Sequence, residues 1–278
     1  MLRKLTDWIL FTSIFAALCA VGMCMATEKL LLGSTPHAIT PLHLLLFSST
    51  LVVYNLHFIL RTMAQVNEEH WSKYRSMWHW VMVVAGSLGL LFSLLYVSAD
   101  ILGWCAVMGV CTFMYSFPLL PFTNKRRLKD YGWGKIIALV TVWVIATCVL
   151  PILYWHKSIT DYPFEILIRT SMLLALCIAF DIRDMQADAQ KEIQTIPNRI
   201  GAARSYVLID VSIIIFAISS IVQYLRYPHI GRLIAEVITV VCMKLVMLYV
   251  KKHPSDKAYL GLVDGMMLLY ALLIILLN

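Results

Sequence analysis

The run Phe164-Glu-Ile-Leu-Ile-Arg169-Thr-Ser-Met-Leu-Leu-Ala-Leu-Cys-Ile-Ala-Phe180-Asp181-Ile-Arg-Asp184-Met-Gln-Ala-Asp188 decides the fold class. Its first part is apolar and long enough to cross a bilayer as a helix; its second part carries three carboxylates. Asp181, Asp184 and Asp188 stand at i, i+3 and i+7, so a helix places them on one face over about 10 Å. Acids this close repel one another, and beside lipid they are costly without a cation or water. Mg²⁺ suits them, because it takes oxygen ligands and completes its shell with water and phosphate oxygens. The plain alternative is a helix end entering water, where the same acids are merely solvated.

Working outward, composition agrees with the first part of that run. The chain is 60% hydrophobic and 14% charged, with a mean hydropathy of +0.79, which excludes an ordinary soluble domain. Apolar runs of spanning length recur at 8–26, 41–60, 78–97, 101–119, 135–154, 163–181, 205–224, 232–250 and 258–277. The expected class is an all-α polytopic membrane protein, a bundle of about nine transmembrane helices forming one domain over residues 1–278. The net charge of +7 reflects topology and does not point to nucleic acid. Sixteen Lys and Arg fall in alternate loops that include the N-terminus, against four in the others, which predicts a cytosolic N-terminus and an outer C-terminus. The expected location is the cell inner membrane. All seven cysteines lie in the spans without a CxxC pair and read as small core residues. Arg3-Lys4 before Trp8–Val21 imitates a signal peptide, but the apolar run continues to Met25 without a small-x-small cleavage site. An uncleaved first span is expected.

Polar residues within the spans are the candidates for pairing or chemistry. His43, Asn55 and His57 occupy the second span; the two histidines are too far apart to share a metal and read as bonded to neighbouring helices. Arg169, Asp210, Glu236, Lys244 and Asp264 are expected to face the bundle interior, as pairs such as Arg169 with an acid or Lys244 with Asp264, or as the lining of a cavity. The fourth span ends in Tyr115-Ser-Phe-Pro118-Leu-Leu-Pro121, followed by Lys125-Arg126-Arg127-Leu-Lys129. That basic cluster suits a phosphorylated or lipid-headgroup ligand, or serves only to set topology. Glycine-rich phosphate loops, HExxH and GxSxG do not occur.

Asp181-x-x-Asp184-x-x-x-Asp188, followed by Thr195-Ile-Pro197 and Gly201, resembles the second aspartate motif of the UbiA-type intramembrane prenyltransferases. Tyr115-Ser116-Phe-Pro118 ahead of Lys125-Arg126 is similar to that family's Tyr-Ser-x-Pro…Lys-Arg segment. The resemblance implies a UbiA-like fold and a Mg²⁺-dependent transferase that moves an isoprenyl group from a prenyl diphosphate to an aromatic or other lipophilic acceptor. It also implies roles. Asp181, Asp184 and Asp188 would be catalytic and hold the metal, and Asn55, Tyr115, Lys125, Arg126, Lys191 and Arg199 would bind the diphosphate.

The family's first motif should stand at the end of the second span, where this chain reads Asn55-Leu56-His57-Phe58-Ile59-Leu60-Arg61-Thr62-Met63. Asn55 is kept, but Leu56, Ile59 and Met63 replace the carboxylates. Glu68 and Glu69 could stand in only if the following loop folds back. Half of a two-motif metal clamp is therefore missing, and two other readings stay open. One is a protein of this fold that binds a lipid diphosphate, or partners another membrane enzyme, without turnover. The other is a transporter or channel, motivated by the intramembrane charges.

Overall fold

A computed structural model describes residues 8–36, 38–63, 73–116, 132–190 and 192–278, and every regular element in it is helical. The long helices are α1 (Ile14–Leu32), α2 (Pro41–Met63), α3 (Lys73–Leu94), α4 (Ala99–Ser116), α5 (Gly132–Tyr154) and α6 (Pro163–Gln190). After the short α7 (Ile196–Ile200) come α8 (Ala202–Arg226), α9 (Ile230–Lys252) and α10 (Asp256–Leu277). Among the described residues, eight of these helices are long and apolar enough to cross a membrane. The apolar part of α4, Ala99–Tyr115, is shorter. All nine expected spans are present as helices.

The first one is displaced from its expected bounds. Ser13 adopts a left-handed φ of 62° and interrupts the chain, so α1 runs from Ile14 to Leu32 instead of over 8–26. It continues through Glu28 because that carboxylate finds partners inside the bundle (below). It stops at Gly33, whose φ of 72° provides the left-handed cap, with Gly33 N–H donating to the Lys29 carbonyl.

Two helices contain π-helical turns, Ile145–Val149 in α5 and Tyr259–Val263 in α10. The first has a covalent cause. Pro151 lacks an N–H and cannot bond the Thr147 carbonyl four residues back, so the ladder widens there. The Thr27 hydroxyl of α1 donates to that freed carbonyl at 2.8 Å, stitching the centre of the bundle.

α1 runs through the middle, packing small side chains (Ala16, Ala17, Cys19, Ala20, Cys24) against α2, α5 and α10. Small residues let helix backbones approach closely where no hydrophobic force separates lipid from protein. α6 is the other central helix, flanked by α5 and α8. Apolar side chains such as Leu88, Leu91, Ile214 and Leu225 are exposed outward, as a lipid-facing surface requires.

Two expected charge pairings are corrected. Lys244 pairs with Asp210 at 2.6 Å, not with Asp264. Arg169, fully buried, donates to no acid among the described residues: it bonds the Met23 carbonyl (3.2 Å) and the Thr27 hydroxyl (2.9 Å) and lies over the Tyr270 ring. Glu236 joins Glu165 in gripping Arg232. In each case the partner is set by which neighbouring helix presents a group at the same depth.

Candidate functional site

Consecutive long helices run in opposite directions, so the start of α5 lies beside the end of α6. Gly132, the first residue of α5, is pressed against the turn that follows α6: a Cβ there would stand 1.7 Å from the Gln194 carbonyl oxygen. Only glycine permits that approach. It places Lys135, three residues further on, against the acidic face of α6. Lys135 Nζ lies 2.8 Å from Asp181 Oδ1 and 2.9 Å from Asp188 Oδ2.

At 100° per residue, Asp188 stands about 20° from Asp181 around the helix, whereas Asp184 stands about 60° away. One ammonium therefore spans the outer two acids, and the middle one diverges. Arg183 binds Asp184 with Nε at 2.8 Å and Nη2 at 3.1 Å. The same guanidinium covers the Phe180 ring, reaches the Tyr259 ring, and approaches Asp256 at 3.9 Å, tying Asp184 toward α10. Asp181 and Asp188 are buried, and Asp184 is part-exposed. Among the described residues, Asp181 Oδ2 is enclosed and has no hydrogen-bond partner, and neither has the buried hydroxyl of Thr195. An enclosed carboxylate oxygen can only accept, so this atom is left short of a donor or a cation.

Aromatic side chains gather beside these acids. Tyr54 is 38% exposed, yet its hydroxyl accepts from Trp143 Nε1 at 3.2 Å, and it lies within electrostatic range of Tyr115, Cys177 and Asp264. Those residues come from α5, α4, α6 and α10, so Tyr54 of α2 stands where five helices approach one another. Tyr115 also lies within electrostatic range of Lys135, Asp181 and Asp188, with its ring centroid 6.2 Å from that of His57. It stands between Tyr54 and the acids.

The other expected site residues are distributed differently. Asn55 is fully buried and committed to packing: its Nδ2 donates to the Thr12 (2.9 Å) and Leu51 (2.8 Å) carbonyls, and its Oδ1 lies 2.6 Å from His79 Nδ1. One amide hydrogen joins α2 to the segment before α1 and the other returns to the backbone of α2, so no donor remains for a diphosphate. Arg199 is exposed on α7. Lys125, Arg126 and Lys191, with Glu68 and Glu69, lie outside the described residues.

Lys135 was not among the residues singled out from the sequence. A signal existed: it is a lone charge in the first turn of α5, at the level where α6 carries its acids.

A second group of ligand-type side chains lies at the opposite end, where Cys24, Glu28 and His43 are close enough together to hold a metal. His43 Nδ1 accepts from Thr40 N–H at 3.1 Å while Thr40 Oγ1 accepts from His43 N–H at 3.3 Å, a reciprocal cap on α2. A neutral ring with Nδ1 so occupied carries its proton on Nε2, which lies 2.6 Å from Glu28 Oε2. Trp155 Nε1 donates to Glu28 Oε1 at 3.0 Å. Both ring nitrogens of His43 and both oxygens of Glu28 thus have hydrogen-bond partners within the protein, and the cluster reads as a packing network.

No protein-family model matches the chain, and no curated protein does. Solved structures do match. A UbiA homologue from Archaeoglobus fulgidus bound to GPP and Mg²⁺ aligns with a TM-score of 0.66 at 14% identity, covering 96% of this chain and 99% of that one. The same homologue bound to Cd²⁺ gives 0.65 at 13%, covering 96% and 98%. A digeranylgeranylglyceryl phosphate synthase gives 0.56 at 14%, covering 99% and 98%. At such identities the likeness establishes the fold alone: the chain has the UbiA fold from end to end.

Proposed function

We propose that this chain is a UbiA-like integral membrane prenyltransferase, a single domain over 1–278 that moves an isoprenyl group from a prenyl diphosphate to an aromatic or other lipophilic acceptor. The observation that carries this reading is Asp181 Oδ2, enclosed without a partner among the described residues and held beside Asp188 and near Tyr115. The fold supports it, since one structural neighbour binds GPP with Mg²⁺.

The residues present fit one hard cation. Asp181 Oδ2 and the oxygen of Asp188 turned from Lys135 would supply two oxygen donors, and Asp184, which Arg183 holds apart from them, would join only on release. They do not suggest a second cation, because the partner motif has Leu56, Ile59 and Met63 in place of acids. Bound there, Mg²⁺ would neutralise charge developing on the diphosphate as the C–O bond breaks.

The rest falls to the chain itself. Lys135 holds Asp181 and Asp188 together before substrate arrives, and its ammonium can turn from a carboxylate to a phosphate oxygen. Tyr115 marks the way from the charged mouth to Tyr54 and Trp143. The isoprenyl tail would lie along these rings, whose faces would stabilise the allylic cation. Arg199 is proposed as a diphosphate partner together with Lys125, Arg126 and Lys191. The proposed orientation has the N-terminus cytosolic and the C-terminus outside, in the cell inner membrane.

A second reading, binding of a lipid diphosphate without turnover, is favoured by one observation: Asn55, the remnant of the first motif, is saturated by packing bonds. The two separate cleanly. Purified chain in lipid nanodiscs receives Mg²⁺, an allylic diphosphate and a lipophilic acceptor extract, and pyrophosphate release and diphosphate binding are both measured. Release that falls about a thousandfold in Asp181→Asn supports transfer. Saturable binding with no release supports the second reading. Neither binding nor release, in protein that keeps its helical content, sinks both.

A further inference from the structure

The ion pair between Asp210 of α8 and Lys244 of α9 lies on the outside of the bundle. Its side chains are 43% and 45% exposed, at a separation of 2.6 Å. Around them the surface is lipid-facing: Val207, Val211 and Ile214 on α8, and Val241, Leu245 and Leu248 on α9, are all exposed. Depth can be read from the helix ends. Arg204 and Lys251 mark one interface, and Lys251 Nζ sits 4.8 Å from the Tyr206 ring, which puts those turns at one level. Asp210 stands six residues inside Arg204 and Lys244 seven residues inside Lys251, about 9–10 Å deeper. Two charges at that depth, bare to hydrocarbon, are expensive even when paired.

We infer that this face of α8 and α9 is the interface of a homodimer, in which the pair is covered by its own copy. The patch is self-complementary. Asp210 and Lys244 lie side by side at one depth, so a two-fold axis along the membrane normal sets each acid against the lysine of the second copy. That axis also keeps both copies in the same orientation in the bilayer. A carboxylate has two oxygens and an ammonium three N–H donors, so each group can serve its partner within the chain and one across the axis. Four charges then close into a ring shielded by the surrounding Val, Leu and Ile side chains. An acyl chain offers the pair nothing, and a foreign helix would need its own matched charges at this depth.

The test uses the full chain in membranes. Copies carrying two different fluorophores are reconstituted into liposomes at low protein-to-lipid ratio, and energy transfer between them is read. Wild-type copies associate. Asp210→Lys gathers four ammonium groups at the axis and Lys244→Asp gathers four carboxylates, and each alone lowers association about tenfold or more. Mixing the two variants restores it, because every cross-axis contact is again of opposite charge. A neutral version, Asp210→Asn with Lys244→Gln, keeps the shape and loses association several-fold. Wild-type copies that stay monomeric, mixed variants no better than either alone, or a neutral version that associates like wild type would each overturn the proposal.

Discussion

At one end of the bundle Arg232 sits between Glu165 and Glu236, and at the other Lys135 sits between Asp181 and Asp188. The two cations are almost equally enclosed, with side-chain exposures of 12% and 14%. Their acids differ. Glu165 and Glu236 come from α6 and α9 and are both about 1% exposed, so Arg232 locks two helices together in a dry site. Its planar fork also donates to Gln223 of α8 at 2.7 Å, which ties in a third helix. Asp181 and Asp188 both belong to α6, and Asp188 keeps 13% exposure. Lys135 therefore joins α5 to α6 by a point charge that a different cation can replace without separating the acids. The same motif, a cation between two carboxylates, is a structural lock where the acids lie on different helices and, under the proposed function, an exchangeable seat where they share one.

Four measurements can break or sharpen that contrast. The largest effect is expected from Arg232→Met, which leaves two buried glutamates uncompensated. Thermal unfolding in detergent should show a loss of about 3–5 kcal/mol. Lys135→Met should cost clearly less, and equal losses would erase the distinction.

Next come the two glycines at which helix starts touch foreign backbone, Gly132 against Gln194 and Gly231 against Leu277, where an added Cβ would stand 1.7 and 1.8 Å from carbonyl oxygens. Alanine at either should destabilise by about 2 kcal/mol through forced separation. Only Gly132→Ala should also alter cation binding at the acids, as followed by Mn²⁺ titration.

A smaller effect is expected from Lys135→Met on that titration. Removing the competing ammonium should tighten Mn²⁺ binding about tenfold. Unchanged or weaker binding would argue that these acids are not a metal seat.

The smallest is Glu28→Gln in the packing network, where an amide can still accept from Trp155. Unfolding should shift by about 1 kcal/mol, with no change in cation binding.

The helices were legible because apolar length is a local property. Each described span appears where an apolar run predicted it, apart from α1, where the backbone at Ser13 and the buried partners of Glu28 moved the boundary by about a turn and a half. The acidic face of α6 was equally legible, since spacing along one helix fixes which residues share a side. Legibility ended at the partners. Nothing in the spacing of Asp181, Asp184 and Asp188 reveals that Lys135 joins two of them while Arg183 takes the third. Likewise nothing around Asn55 shows that His79 and the Thr12 carbonyl occupy it.

The order of residues alone thus determined that this is a bundle of membrane helices with three acids at the end of the sixth, because hydropathy and helical pitch act within a single segment. Which cation each acid meets, which histidine is sealed, and which charge pair lies on the outside of the bundle were decided only when helices distant in sequence came to rest at matching depth and rotation. Those relations depend on packing between segments, and a close approach such as Gly132 against Gln194 sets them to within a few ångströms.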